Sequence, residues 1–295
     1  MIPKEVINKI RRIQITTSRK VTDIFAGQYQ SVFKGVGMEF EEVRQYMPGD
    51  EIRSIDWNVT ARMGHPYVKK FVEERELTIM ILLDVSNSCR FGTAGRVKSE
   101  LAAELCSVIA FSAIQNNDKV GMITFTDRVE KFVPPRKGVR HVLRVVREAI
   151  YNEPEGKGTD INQVLEYLNG VTTRRSITFL VSDFFAGDFK KTLSITNKRH
   201  DVIAVTITDP AELVLPKAGI IKMHDAETGD LFEVDTSDPA LRVSYEKRSS
   251  ELAEKRSKIF RSTGVDSIDI RTDSSYVEPL IKFFRMRERR IRGGR

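Results

Sequence analysis

The chain has 295 residues, 40% of them hydrophobic and 30% charged, with a net charge of +7. That is enough apolar material for the core of one large domain with a small attachment, and it excludes disorder as the dominant state. No run approaches the roughly 20 apolar residues that a bilayer requires, and charges interrupt the opening MIPKEVINKIRRIQ too often for a secretory signal, so a cytoplasmic location is expected.

Charge is unevenly placed. Lys4, Lys9, Arg11, Arg12, Arg19 and Lys20 stand against Glu5 at the start. Lys282, Arg285, Arg287, Arg289, Arg290, Arg292 and Arg295 stand against Glu288 at the end. The body between is therefore mildly acidic, which argues against a nucleic-acid-binding core. Cys89 and Cys106 are too few and too irregularly placed for a disulfide framework or a thiolate metal site, so both are expected as reduced thiols.

In chain order, residues 1–25 carry Val6, Ile10, Ile13, Val21 and Ile24 near helical spacing beside basic residues, which predicts a basic amphipathic helix. Residues 26–76 mix Gly, aromatic and charged residues around a Pro48, Gly49, Asp50 turn and predict a small β-rich attachment. From Leu77 to about residue 290 the pattern changes. Apolar runs at 77–83, 120–125, 177–181, 202–207 and 265–270 have the continuous character of strands buried on both faces. Helical patterns separate them, so a doubly wound, mostly parallel α/β sheet is expected. TFTDRVEKFVPP places Thr126 and Asp127 between two short extended runs, which predicts a hairpin and one antiparallel edge strand. Residues 215–238 read as two extended stretches around Thr228, Gly229 and Asp230, an excursion before a long helix over 239–262.

The first apolar run ends in Asp84, Val85, Ser86, Asn87, Ser88, a carboxylate and two hydroxyls at alternate positions on the edge of the sheet where such folds bind ligands. A helix beginning near Gly95 is expected to direct its N–H groups toward the same place. Thr159 opens a later helix, and Asp183 follows another strand as Asp84 follows the first. These donors are all hard oxygens, which suit Mg2+ (or Mn2+) better than zinc or copper. Asp160, beside Thr159, is a competing ligand.

The pattern Asp84-x-Ser86-x-Ser88 with Thr159 and Asp183 resembles the metal-ion-dependent adhesion site of von Willebrand factor type A domains. GMEFEEVRQYMPGDEIRSIDWNVTAR followed by VKKFVEERELTIMILLDVSNS is similar to the bacterial family called "domain of unknown function 58", over roughly residues 25–210. The resemblance implies that Ser86, Ser88 and Thr159 bind the metal directly, that Asp84 and Asp183 act mostly through waters, and that an acidic side chain of a partner completes the site. It also implies a partner of the MoxR-type AAA+ ATPase class, with this protein as a non-enzymatic adaptor in chaperone-like assembly or maturation.

Other residues have plainer readings. Cys89 is expected as a small buried residue, because no Cys-His arrangement accompanies it, and the four histidines at 65, 141, 200 and 224 are expected in structural or surface roles. Arg44, Asp50, Arg53, Asp56 and Arg62 suggest ion pairs pinning the attachment to the main domain, and Trp57 is expected in a core. The alternative function is a magnesium-dependent hydrolase or phosphotransferase using Asp84. That chemistry requires a second acid two residues on, where Ser86 stands, and no Gly-x-x-x-x-Gly-Lys-Ser/Thr loop is present to cradle a nucleotide.

Overall fold

The computed structural model describes residue 32 and residues 39–72, 76–224 and 230–293. The basic segment 1–25 lies outside the described residues, as do Thr228 and Gly229. The attachment contains an antiparallel pair, β1 (Glu39–Gln45) and β2 (Tyr67–Val72), with the short helix α1 (Trp57–Met63) between them. Pro48 and Gly49 sit at the centre of a turn closed by Asp50 N–H donating to the Met47 carbonyl at 3.0 Å, and Gly49 takes the positive φ of 109° that its position requires. The Arg44 guanidinium grips Asp50 through two hydrogen bonds of 2.7 and 2.8 Å and holds its carboxyl below the usual range. Asp56 accepts from the N–H groups of Asn58 and Val59, capping α1. The two carboxylates thus serve local turns and caps of the attachment, where the sequence suggested a pin to the main domain. Trp57 is also not core: as the first residue of a helix with no buried position, it is 66% exposed.

The main sheet contains β3 (Thr78–Asp84), β4 (Lys119–Phe125), β5 (Val129–Arg136), β6 (Ile177–Ser182), β7 (Asp201–Thr208) and β10 (Asp266–Arg271), in the order β10-β7-β6-β3-β4-β5. All its pairings are parallel except β4 with β5, the expected hairpin edge. The helices are α2 (Lys98–Gln115), α3 (Val139–Ile150), α4 (Ile161–Val171), α5 (Lys190–Arg199), the single turn α6 (Pro210–Leu213), α7 (Pro239–Thr263) and α8 (Val277–Gly293). The excursion forms an antiparallel pair, β8 (Ile220–His224) and β9 (Leu231–Asp235). No helix of the described residues is long and apolar enough to cross a membrane.

Two cores flank the sheet, and the alternation of strand side chains assigns residues to them. Ile79, Ile81 and Leu83 of β3 pack with α2, α3 and α8, whereas Met80 and Leu82 pack with α4, α5 and α7. A strand covered on both faces has to be apolar at every position, which is why the sequence shows runs instead of alternation. The basic C-terminal helix is fastened to the sheet: Arg287 pairs with Asp201 and Asp266 at 2.6 and 2.7 Å, and Arg290 pairs with Asp266. These cations are thereby committed to internal partners. His200 is buried, and burial, helped by Arg199 and Arg175, lowers its pKa to about 4, so it is a neutral core residue that accepts from Ser176 at Nδ1.

Candidate metal centre

Counted from β3, the strand order reads 3-2-1-4-5-6, the doubly wound order whose chain reverses direction between its first and fourth strands. Here that switch point lies between β3 and β6, whose helices leave on opposite faces and open a crevice beyond the strand ends. β3 ends in Asp84, and Asp183 immediately follows β6. The topology therefore sets these two carboxylates side by side, and each is only 2% exposed.

The Asp84 carboxylate accepts from Ser86 N–H at 3.0 Å, from the Ser182 hydroxyl at 2.5 Å and from the Thr159 hydroxyl at 3.5 Å, the outer limit of a hydrogen bond. All three donors are neutral. Burial and, next, the charge of Asp183 push its pKa up to about 6. Ser86 and Ser88 bring their hydroxyl oxygens to 3.0 Å from each other as Asn87–Arg90 coil into a 3-10 turn. Asn87 N–H donates to the Lys157 carbonyl at 3.2 Å, tying this turn to the loop that carries Thr159. Four of the five expected residues, Asp84, Ser86, Ser88 and Thr159, are thus joined by hydrogen bonds, and Asp183 adjoins them electrostatically. Asp160 caps α4, its Oδ1 accepting from Asn162 N–H at 2.9 Å and Gln163 N–H at 3.3 Å.

Four further residues build the site. Lys98 is 1% exposed, and its ammonium reaches Asp183 Oδ2 at 2.7 Å and also Glu212. Burial pulls its pKa down, but Asp183 and Glu212 outweigh burial and the net shift is upward, so it stays charged. α2 begins at Lys98, not near Gly95, and the Lys98 N–H is used on the Phe91 carbonyl; the helix thus delivers a side-chain charge to the strand edge. Ser182 relays between the strands, donating to Asp84 and accepting from Phe184 N–H at 2.9 Å. Phe184 itself has φ of 60°, uncommon for a bulky residue, and is held there by rings of Phe189 and Phe260 at centroid distances of 5.8 and 5.0 Å. Glu130, from the hairpin, receives Gly156 N–H at 2.8 Å, Glu155 N–H at 3.2 Å and the Thr126 hydroxyl at 2.7 Å, clamping the loop before Thr159.

Cys89 is buried, and burial, then Asp84 and Asp183, raise its thiol far above the ordinary value, which makes it the inert small residue expected. The profile of the family described as "Protein of unknown function DUF58" matches residues 42–255. The chain belongs to this family. One family relative, an uncharacterized protein of Mycobacterium tuberculosis, is 29% identical over 283 residues, covering 95% of this chain and 89% of its own. Among solved structures, an aerotolerance-related membrane protein from Bacteroides fragilis is similar at 16% identity with a TM-score of 0.48, covering 71% of this chain and 99% of that one. The VWA domain of SpRpn10 is similar at 12% identity with a TM-score of 0.39, covering 70% of this chain and 94% of its own. The fold class rests on the strand order and the two-faced core themselves.

Proposed function

We propose that Asp84, Ser86, Ser88, Thr159 and Asp183 hold one Mg2+ (or Mn2+) ion, and that the protein is a non-enzymatic module that binds a protein partner through it. One observation carries this reading: Asp84 is a buried carboxylate with a second buried carboxylate beside it and, among the described residues, no cationic partner. Burying such a charge unpaired is costly, and a cation is the usual remedy. The donor set fits. Oxygens alone suit a hard cation, and the 3.0 Å between the Ser86 and Ser88 hydroxyls is close to the edge, about 2.8 to 3.0 Å, of an octahedron built on bonds of about 2.0 to 2.1 Å. Both Asp183 oxygens are engaged, by Phe185 N–H and by Lys98, and Asp84 is ringed by donors. That supports hydroxyls as the direct ligands and carboxylates acting through waters.

When bound, the cation supplies positive charge that neutral hydroxyls leave largely uncancelled, enough to attract an acidic side chain of a partner. A MoxR-type AAA+ ATPase as that partner, and assembly or maturation as the process, are supported by the family resemblance. In surface-binding measurements against such an ATPase, Ser88→Ala and Thr159→Ala are each expected to weaken binding at least about tenfold while the fold survives, and chelator to act likewise. Equal affinity in wild type, both variants and chelated protein would move the interface elsewhere.

A non-enzymatic role is supported by Ser86, which stands where a hydrolase of this type needs its general acid, and by Lys98, which is held between Asp183 and Glu212. Magnesium-loaded protein is expected to release no phosphate from ATP or an aryl phosphate above the Asp84→Ala background. Release lost in that variant would establish the hydrolase instead.

A further inference from the structure

Beside the metal centre runs a groove of about 630 Å3 between the segment after β6 and α7. Thr159 lines it, so the groove and the site share a residue. α7 is fixed along this edge: Tyr245 and Ser249 donate to the Ala211 and Glu212 carbonyls at 3.2 and 2.6 Å, and Arg256 donates to the Asp183 carbonyl at 3.2 Å. The floor is apolar, with Phe185 41% and Leu252 44% exposed. The wall is cationic. Arg248 and Lys255 are exposed and have no ion-pair partner among the described residues, and Arg256 joins them. The one carboxylate in the lining is Asp188, whose Oδ1 already accepts from Lys190 N–H.

A surface of this kind, apolar below and cationic along one side, is complementary to a chain that alternates acidic and apolar side chains. Lys255 lies seven residues after Arg248, hence about 10 Å along the helix. An extended chain covers about 10 Å in three residues. We propose that this groove binds an acidic, extended segment of a protein partner, with one carboxylate on the cation, an apolar side chain over Phe185 and Leu252, and two carboxylates three residues apart on Arg248 and Lys255. The proposal rests on the metal reading above for its first contact only.

The probe is a labelled peptide DLSEGSE, followed by fluorescence anisotropy on the full chain in magnesium, with NLSQGSQ as its uncharged counterpart. Binding of the first and not the second is expected, and Arg248→Glu with Lys255→Glu should weaken it by about tenfold or more. The charge-reversed protein should still bind magnesium with wild-type affinity in calorimetry, since neither residue touches the site. Peptide binding that persists in chelator but falls in the charge-reversed variant would uphold the groove and remove the metal reading. Equal binding to wild type and variant, equal binding of the two peptides, absence of binding, or full displacement by a single-stranded thymidine oligonucleotide would each overturn the proposal.

Discussion

Replacing Lys98 by methionine is expected to destabilise the protein by about 3 to 5 kcal/mol, the cost of removing one partner from a buried ion pair. Lys98 is held between Asp183 and Glu212, and methionine comes within one heavy atom of its length while supplying no charge. The variant would bury Asp183 beside Asp84 with no ammonium on Asp183 to offset its charge. Chemical denaturation read by circular dichroism measures the loss. Saturating magnesium should restore part of it, because a cation bound only to the folded state stabilises that state. A loss below about 1 kcal/mol would mean that the pair is dispensable.

The second large effect is expected from Gly156→Ala. A Cβ at this position would lie 2.0 Å from Asp127 Oδ1 and 2.1 Å from the hydroxyl of Thr126, and Thr126 is fully buried. Either the hairpin tip or the loop has to move, which breaks the Glu130 clamp and, through the Asp160 N–H to Thr126 carbonyl bond of 2.9 Å, displaces Thr159. Overpacking of this sort costs about 1 to 3 kcal/mol. Magnesium affinity should fall by about tenfold or more, as measured by calorimetry. Gly158→Ala is the control from the same loop, because its Cβ would meet only Asp127 Cβ at an ordinary 3.8 Å. Equal affinities in the two variants would show that the clamp does not position Thr159.

The sequence reveals the sheet because strands covered on both faces need uninterrupted apolar runs, and it reveals Asp84 and Asp183 because such runs end abruptly in a carboxylate. Lys98 is harder to find. At the start of a helix it looks like an ordinary surface cation, yet it stands three and seven residues before the buried Leu101 and Leu105, the spacing of one helix face. That stripe is the signal by which it could have been recognised. The Glu130 clamp joins residues 26 apart through backbone N–H groups, which no local pattern encodes. Trp57 misleads for the opposite reason, since its size suggests a core that the short helix α1 does not form.

The buried charge at Asp84, without a cationic partner among the described residues, is proposed to hold a divalent cation. Calorimetric titration of magnesium into wild-type protein and into Asp84→Ala tests it most directly. One site is expected in the wild type, and no detectable binding in the variant, whose core strands and circular dichroism are retained. An isotherm unchanged by Asp84→Ala, or no magnesium or manganese binding by the wild type, would contradict it.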